Sequence, residues 1–184
     1  MPAKRAVDVT GALILLLLLS PALLAAAAAV AATSAGPVLQ RADRVGRGGR
    51  AFTMFTFRTK RAGTVTAVGH VLHRHFLDRL PQLFNVLRGD MSLVGPLPLA
   101  AREADAKGPG TGRARLAVRP GITGLWQVSA RSDLPWEEMT VLDLHYVEQH
   151  WLGLDLLILA RTVPAVVAGR RPTEVMQTAP VRVA

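Results

Sequence analysis

Asp78 is the acidic residue whose surroundings ask most for a chemical explanation. It stands in Leu77-Asp78-Arg79-Leu80-Pro81-Gln82-Leu83, which runs on to Asn85-Val86-Leu87-Arg88-Gly89-Asp90-Met91-Ser92-Leu93-Val94-Gly95-Pro96. Leu80, Leu83, Phe84 and Leu87 recur at helical spacing and predict an amphipathic helix after the aspartate. Pro81 suits the first turn of that helix. The carboxylate is therefore expected at or just before a helix N-terminus, where the dipole favours an anion and free N–H groups can bind phosphate. Aspartate is also a common N-cap, and on local pattern alone capping is the stronger reading.

The charge around this stretch points to anionic partners. The chain holds 22 Lys and Arg against 13 Asp and Glu, a formal net charge of +9. From Arg41 to Arg88 the imbalance sharpens to ten basic residues against Asp43 and Asp78. Nucleic acid, phosphate-bearing small molecules and an acidic membrane surface all fit such a field. The arginines carry no recognised nucleic-acid-binding motif, so nucleic acid is not expected. With no cysteine, a disulfide framework and thiolate metal sites are excluded. His70, His73 and His75 invite a metal reading, but only the first two share a helical face and no carboxylate is seen to complete a site. They read as surface or phosphate-facing histidines.

The elements that must position these groups begin with an apolar run. Val9 to Ala32 is uncharged over 24 residues, and about 20 suffice to cross a bilayer as a helix. A cleaved signal peptide, a spanning helix and a re-entrant hairpin all fit that length. Two features favour the hairpin. Ser20-Pro21 interrupts the run where proline removes a helix hydrogen bond, and the Ser20 hydroxyl is available to the freed carbonyl. Both flanks are basic, with Lys4 and Arg5 before and Arg41, Arg44, Arg47 and Arg50 after, so one crossing would strand positive charge on the wrong side.

Beyond Gly36-Pro37, aromatic and polar residues alternate from Phe52 to Phe57 next to Gly48-Gly49, which predicts a β-hairpin with one buried face. Thr66 to Leu77 reads as a helix, Ser92 to Val94 as a short strand, and Ala100 to Thr111 as a polar helix ending in a loop. Arg115 to Ser129 reads as two apolar strands around Pro120-Gly121 and Gly124. Glycines there would let backbone N–H groups approach a ligand, although turn chemistry explains them equally well. Ser132-Asp133 is expected to cap a helix from Pro135. Trp151 to Val167 is apolar enough for a core helix or a membrane-surface helix.

In order along the chain, these pieces resemble the bacterial sugar transferase family, the monotopic polyprenyl-phosphate phosphoglycosyl transferases. The matching stretches are the basic start with its apolar Ser-Pro run, Gly36-Pro37-Val38, Arg44-Val45-Gly46-Arg47, Phe57-Arg58-Thr59, Leu80-Pro81-Gln82-Leu83, Gly89 to Pro96, and Arg119 to Val128. The resemblance implies a retained re-entrant anchor and a two-step exchange. An aspartate attacks the β-phosphate of a nucleotide sugar, and a polyprenyl phosphate then takes the phosphosugar. The aspartate that matches is Asp78, which makes Asp78 and Arg79 the candidate catalytic pair. Candidate substrate-binding residues are Arg58, Arg88, Asp90, Gly95, Pro96, Arg119, Gly121, Gly124 and Arg131. Lys4, Arg5, Ser20 and Pro21 are assigned to the membrane anchor.

Two positions depart from the family pattern. Its Asp-Glu pair is Asp78-Arg79 here, and its Gly-Pro-Arg-Pro is Gly95-Pro96-Leu97-Pro98. The missing glutamate belongs to a magnesium-dependent reaction centre, so the resemblance implies Mg2+ while the substitution removes an oxygen donor for it. Either Arg79 replaces the metal by forking onto the diphosphate, or the chain is a non-catalytic membrane-bound paralogue that binds lipid or nucleotide sugar. The expected fold class is α+β: an N-terminal re-entrant membrane helix hairpin (1–35), then a small, mostly helical cytoplasmic domain with short strands (36–170), then a disordered tail (171–184). Expected partners are a nucleotide sugar, polyprenyl phosphate and anionic membrane lipids, at the cytoplasmic face of a bacterial inner membrane.

Overall fold

The structure is a computed structural model that describes residues 2–33, 35–100, 114–129 and 136–169. Two apolar helices open it, α1 (Pro2–Leu18) and α2 (Ser20–Thr33). They meet at a bend of 64°, and among the described residues no single helix is long and apolar enough to cross a membrane. The bend has a local cause. Pro21 carries no N–H for the Leu17 carbonyl four residues back, and the Ser20 hydroxyl donates to that carbonyl instead, at 2.8 Å.

The hairpin follows as expected. Strand β1 (Leu39–Val45) pairs antiparallel with β2 (Ala51–Phe57), with Arg41 opposite Phe55 and Val45 opposite Ala51. A second, two-residue hairpin joins β3 (Lys60–Arg61) to β4 (Thr64–Val65). Helix α3 (Ala67–Arg74) is capped by Thr66, whose side chain accepts from the Gly69 amide. After a 3-10 turn at Leu77–Arg79 comes α4 (Gln82–Arg88), closed by Gly89 at φ +91°, the left-handed C-terminal position that glycine takes without penalty. Strand β5 (Ser92–Val94) runs parallel to β6 (Gly121–Thr123). Among the described residues the chain continues through α5 (Leu125–Val128), α6 (Trp136–Gln149) and α7 (Leu152–Ala168).

Two expectations are corrected. The segment from Leu125 to Val128 is helical. The strand in that region is Gly121 to Thr123 itself, because it can pair with β5. Asp78 is also not at the start of the helix that follows; it sits in the separate 3-10 turn, and Pro81 holds the cap position of α4. The polar helix expected at 100–111, the Ser132-Asp133 cap and the tail from 171 lie outside the described residues.

The main core gathers Ala12 of α1, Leu83 and Val86 of α4, Leu93 and Val94 of β5, Tyr146 of α6 and Ile158 of α7. Burying each Leu, Val or Ile of this kind contributes roughly 1.5–3 kcal/mol. A second cluster joins Ala26 and Val30 of α2 to Phe57 and Leu72, with Leu77 and Leu80 packed against it. The first helix is thus part of the domain core.

Buried polar contacts fix that helix in place. Asp8 is 3% exposed; it accepts from the Ser92 hydroxyl at 2.9 Å and from the Leu93 amide at 3.1 Å. One turn earlier, Lys4 donates to Asp155 at 2.7 Å, and Asp155 also accepts from the Tyr146 hydroxyl at 2.7 Å. Burial first, and the Asp155 carboxylate second, push the Tyr146 hydroxyl well above its usual range, which keeps it a donor. Arg5 donates to the Val86 and Leu87 carbonyls at the end of α4, at 2.6 and 2.9 Å. Replacing Asp8 by Ala leaves a buried hydroxyl and a buried amide unpaired, so Asp8→Ala is expected to lower stability by about 1–3 kcal/mol. Denaturant unfolding of the detergent-solubilised chain measures this, and an unchanged midpoint would contradict it.

Candidate functional site

The site forms where α3 ends. Phe76 adopts a left-handed backbone at φ +57°, a conformation that costs a residue with a Cβ about 1–3 kcal/mol and persists only where its surroundings impose it. The reversal throws Leu77–Arg79 into their 3-10 turn, held by Arg79 N–H to Phe76 O and Leu80 N–H to Leu77 O, both 3.2 Å. Leu77 and Leu80, which bracket the turn, pack on the cluster that contains Ala26 and Val30 of α2. Asp78 therefore lies at the seam between the apolar helix pair and the domain.

The Asp78 side chain is 13% exposed, and its Oδ2 lies 3.1 Å from His73 Nδ1. An ionised carboxylate can only accept, so this contact puts the ring hydrogen on Nδ1. The other oxygen, Oδ1, is buried and has no hydrogen-bond partner. The Arg79 guanidinium lies over the Phe76 ring at 5.6 Å and over the Trp126 ring at 6.0 Å. Trp126 itself holds a buried indole N–H without a partner. The turn that carries Asp78 thus meets the Trp126 ring through the Arg79 guanidinium.

The other sequence-predicted residues are dispersed. Arg58 donates to the Ala35 and Gly36 carbonyls, at 3.0 and 3.3 Å, and Arg119 donates to Gly89 O at 2.8 Å. These contacts tie together the segments that flank the site. Arg88 lies over the Phe55 ring at 5.1 Å, beside a groove of about 510 Å³ lined also by Leu39, Arg41, Phe84 and Leu87. Asp90 sits 3.4 Å from the Asn85 amide, and Asn85 clamps β2 to α4 through Phe55 N–H and Thr53 O. The glycines answer to packing. Gly95 N–H bonds Thr123 O at 3.0 Å, and Gly121 N–H bonds Pro96 O at 2.9 Å. A Cβ on Gly124 would collide with the Gly95 carbonyl. Arg131 lies outside the described residues. Lys4 and Arg5, expected at the membrane flank, make the interior contacts described above.

Sequence pattern reads His73 as a surface or phosphate-facing histidine and gives Trp126 no separate role. The carboxylate that meets His73 lies five residues on, across a chain reversal that helical periodicity does not reveal. Deeper in the domain, burial raises the Asp143 carboxyl above its usual range against the opposing Arg115 charge; the pair joins α6 to the residues before β6.

Magnesium prefers near-octahedral oxygen ligation, commonly from one or two carboxylates together with substrate phosphates. Here the residue beside Asp78 is a cation. Among the described residues no group of three His, Asp or Glu could hold a metal. The described side chains thus build no magnesium site by themselves, and Asp78 is the one carboxylate of the expected Asp-Glu pair that is present.

Comparison with known proteins gives a consistent result. The family model described as bacterial sugar transferase matches residues 1–169. The exopolysaccharide production protein ExoY of Rhizobium meliloti is 35% identical, over 91% of this chain and 87% of its own length. The UDP-glucose:undecaprenyl-phosphate glucose-1-phosphate transferase of Caulobacter vibrioides is 40% identical, over 88% of this chain and 68% of its own. The undecaprenyl-phosphate galactose phosphotransferase of Salmonella typhimurium is 35% identical over 71% of this chain, and the match spans 33% of that longer protein.

The glycine packing gives a direct expectation. A Cβ on Gly95 would strike the Arg119 carbonyl and lie 2.8 Å from the Gly121 nitrogen. Backbone on that side cannot swing away, so Gly95→Ala is expected to cost at least about 1–3 kcal/mol and to open the β5–β6 pair. A thermal melt checks this; a wild-type melting temperature would contradict it.

Proposed function

The chain belongs to the bacterial sugar transferase family, and we propose that it transfers a sugar 1-phosphate from a nucleotide-activated sugar to a polyprenyl phosphate. Such a step begins the assembly of a cell-surface glycan or exopolysaccharide. The observation that carries the reading is the Asp78 carboxylate: one oxygen is held by His73, while the other is buried and unengaged.

A carboxylate nucleophile divides one difficult displacement into two easier ones. Asp78 Oδ1 forms a bond to the β-phosphorus of the donor. The bond from that phosphorus to the bridging oxygen breaks, and the nucleoside monophosphate leaves with the electron pair. An oxygen of the polyprenyl phosphate then attacks the same phosphorus. The bond to Oδ1 breaks, Asp78 returns to its ionised state, and a lipid diphosphosugar is released. Phosphoryl transfer of this kind depends mainly on positioning and charge stabilisation. Arg79, stacked between Phe76 and Trp126, supplies positive charge beside the nucleophile where the family pattern has a carboxylate. The reading is therefore transfer with little or no dependence on magnesium.

Membrane seating supports the reading. Leu13, Ile14, Leu17, Leu18 and Leu24 are exposed on α1 and α2, as are Trp151, Leu156, Leu157, Val163 and Val167 at or on α7. Apolar surface in that amount favours a lipid environment. The bend at Ser20-Pro21 lets the apolar pair enter and leave from one side, here the cytoplasmic face of the inner membrane. A water-soluble donor and a lipid acceptor can then meet at Asp78.

Transfer of label from UDP-glucose or UDP-galactose into a lipid fraction containing polyprenyl phosphate tests the function. Wild type is expected to turn over in EDTA, and Asp78→Asn to lose about 10³-fold or more of that rate. An inert wild type that becomes magnesium-dependent and active as Arg79→Glu would contradict metal-free transfer and identify a non-catalytic membrane-bound paralogue. Topology is open to cysteine labelling, because the chain has no cysteine of its own. Ala6→Cys and Gln40→Cys should both react with an impermeant maleimide from the cytoplasmic side; reaction from opposite sides would exclude the hairpin.

A further inference from the structure

We infer that His73 is the positioning residue for the nucleophile: its Nδ1–H holds Asp78 Oδ2 and so assigns the attack to Oδ1. The inference rests on the transferase reading and deepens it. Without such a contact the two oxygens of a carboxylate are interchangeable by rotation about one side-chain bond. Here the 3.1 Å contact breaks that equivalence. One oxygen is spent on the imidazole, and the other is left buried with no hydrogen bond within the protein.

The backbone makes the pairing specific. His73 lies in the last turn of α3, whose register is fixed by the Thr66 cap and by Leu72, 4% exposed in the cluster with Ala26 and Val30. Phe76 N–H bonds His73 O at 3.3 Å, and the left-handed Phe76 then turns the chain so that Asp78 faces back toward the helix it has just left. His73 is 36% exposed at its side chain against 13% for Asp78. The imidazole is thus the more exposed partner of the pair, and Oδ1 is the oxygen left without a hydrogen bond inside the protein.

The same bond serves both chemical steps without moving a proton. Before attack, Nδ1–H donates to an ionised oxygen. Once Oδ1 is bonded to phosphorus, Oδ2 is the carbonyl oxygen of the acyl phosphate and still accepts from Nδ1–H. When the lipid phosphate displaces the aspartate, the charge that returns to the carboxylate meets a donor already in place. Orientation supplied in this way affects the rate of bond formation more than donor affinity.

The test is a burst of UMP release from UDP-glucose or UDP-galactose by the detergent-solubilised full chain without lipid acceptor. His73→Asn keeps an N–H donor near the δ position, whereas His73→Leu keeps bulk and removes the donor. His73→Leu is expected to slow the burst about 10- to 100-fold while the KM for the donor changes by less than about threefold, and His73→Asn to recover to within about threefold of wild type. A wild-type burst in His73→Leu, or a His73→Asn no faster than His73→Leu, would overturn the inference and leave the transferase reading standing. Should His73→Leu fail to fold, His73→Gln, which carries its donor one bond farther out, replaces it; a slow burst supports the assignment and a wild-type burst overturns it. Absence of any burst in wild type with either donor overturns the transferase reading, and this inference with it.

Discussion

The buried Asp8 carboxylate is the interaction on which the architecture depends. An ionisable group placed 3% exposed inside an apolar helix survives only with polar partners; Asp8 has the Ser92 hydroxyl and the Leu93 amide of β5, and the Lys4 ammonium at 3.9 Å. Lys4, one turn away, extends the contact to Asp155 and through it to Tyr146. Arg5 closes the carbonyl end of α4. The first apolar helix is consequently fixed in rotation and depth against the domain. Had it been a loose anchor, the position of α2, and of everything that packs on α2, would be undetermined.

Asp78 inherits its position from that constraint. Helix α2 leaves the bend at Ser20-Pro21 and packs through Ala26 and Val30 against Leu72, with Leu77 and Leu80 alongside. Leu77 and Leu80 bracket Asp78 in sequence. The apolar helix pair and the two leucines that bracket Asp78 thereby share one packed cluster. The proposed transfer, with one substrate dissolved in water and the other in lipid, would need such an arrangement. The left-handed Phe76 is the local strain that the cluster sustains to aim the carboxylate.

Much of this was legible in the sequence, for physical reasons that can be named. The apolar run, its break at Ser20-Pro21 and the alternating β-hairpin follow from periodicity and from proline's missing donor. The coordinates bear out the hairpin and the role of the Ser20 hydroxyl. The family was readable because several motifs occur in order, and its model matches residues 1–169. Lys4, Arg5 and Asp8 were harder. A charge at the end of an apolar stretch looks the same whether it faces lipid headgroups or a buried partner about ninety residues away. Asp78 was misplaced by one element, because the spacing of Leu80, Leu83 and Leu87 fits a helix that could begin at either end of the Leu77–Pro81 stretch. The His73 contact depends on a left-handed phenylalanine, which no propensity scale anticipates.

The glycine-rich segments show the same limit from the other side. For Gly121 and Gly124 the sequence left ligand approach and turn chemistry equally open. In the structure these two and Gly95 each sit where a Cβ would collide with the backbone of the neighbouring segment. Their requirement is close packing where β5 meets β6. Arg58 and Arg119 likewise spend guanidinium N–H groups on backbone carbonyls. Under the proposed function the positive charge next to Asp78 falls to Arg79, whose guanidinium lies over Phe76 and Trp126. The central claim is that Asp78 becomes covalently phosphorylated. Peptide mapping by mass spectrometry, after incubation with a UDP-sugar and no lipid acceptor, tests it most directly. The account predicts a hexose-phosphate adduct on the peptide containing Asp78 that disappears when polyprenyl phosphate is added. A labelled lipid product formed with no adduct at Asp78, or an adduct that persists in Asp78→Asn, would contradict it.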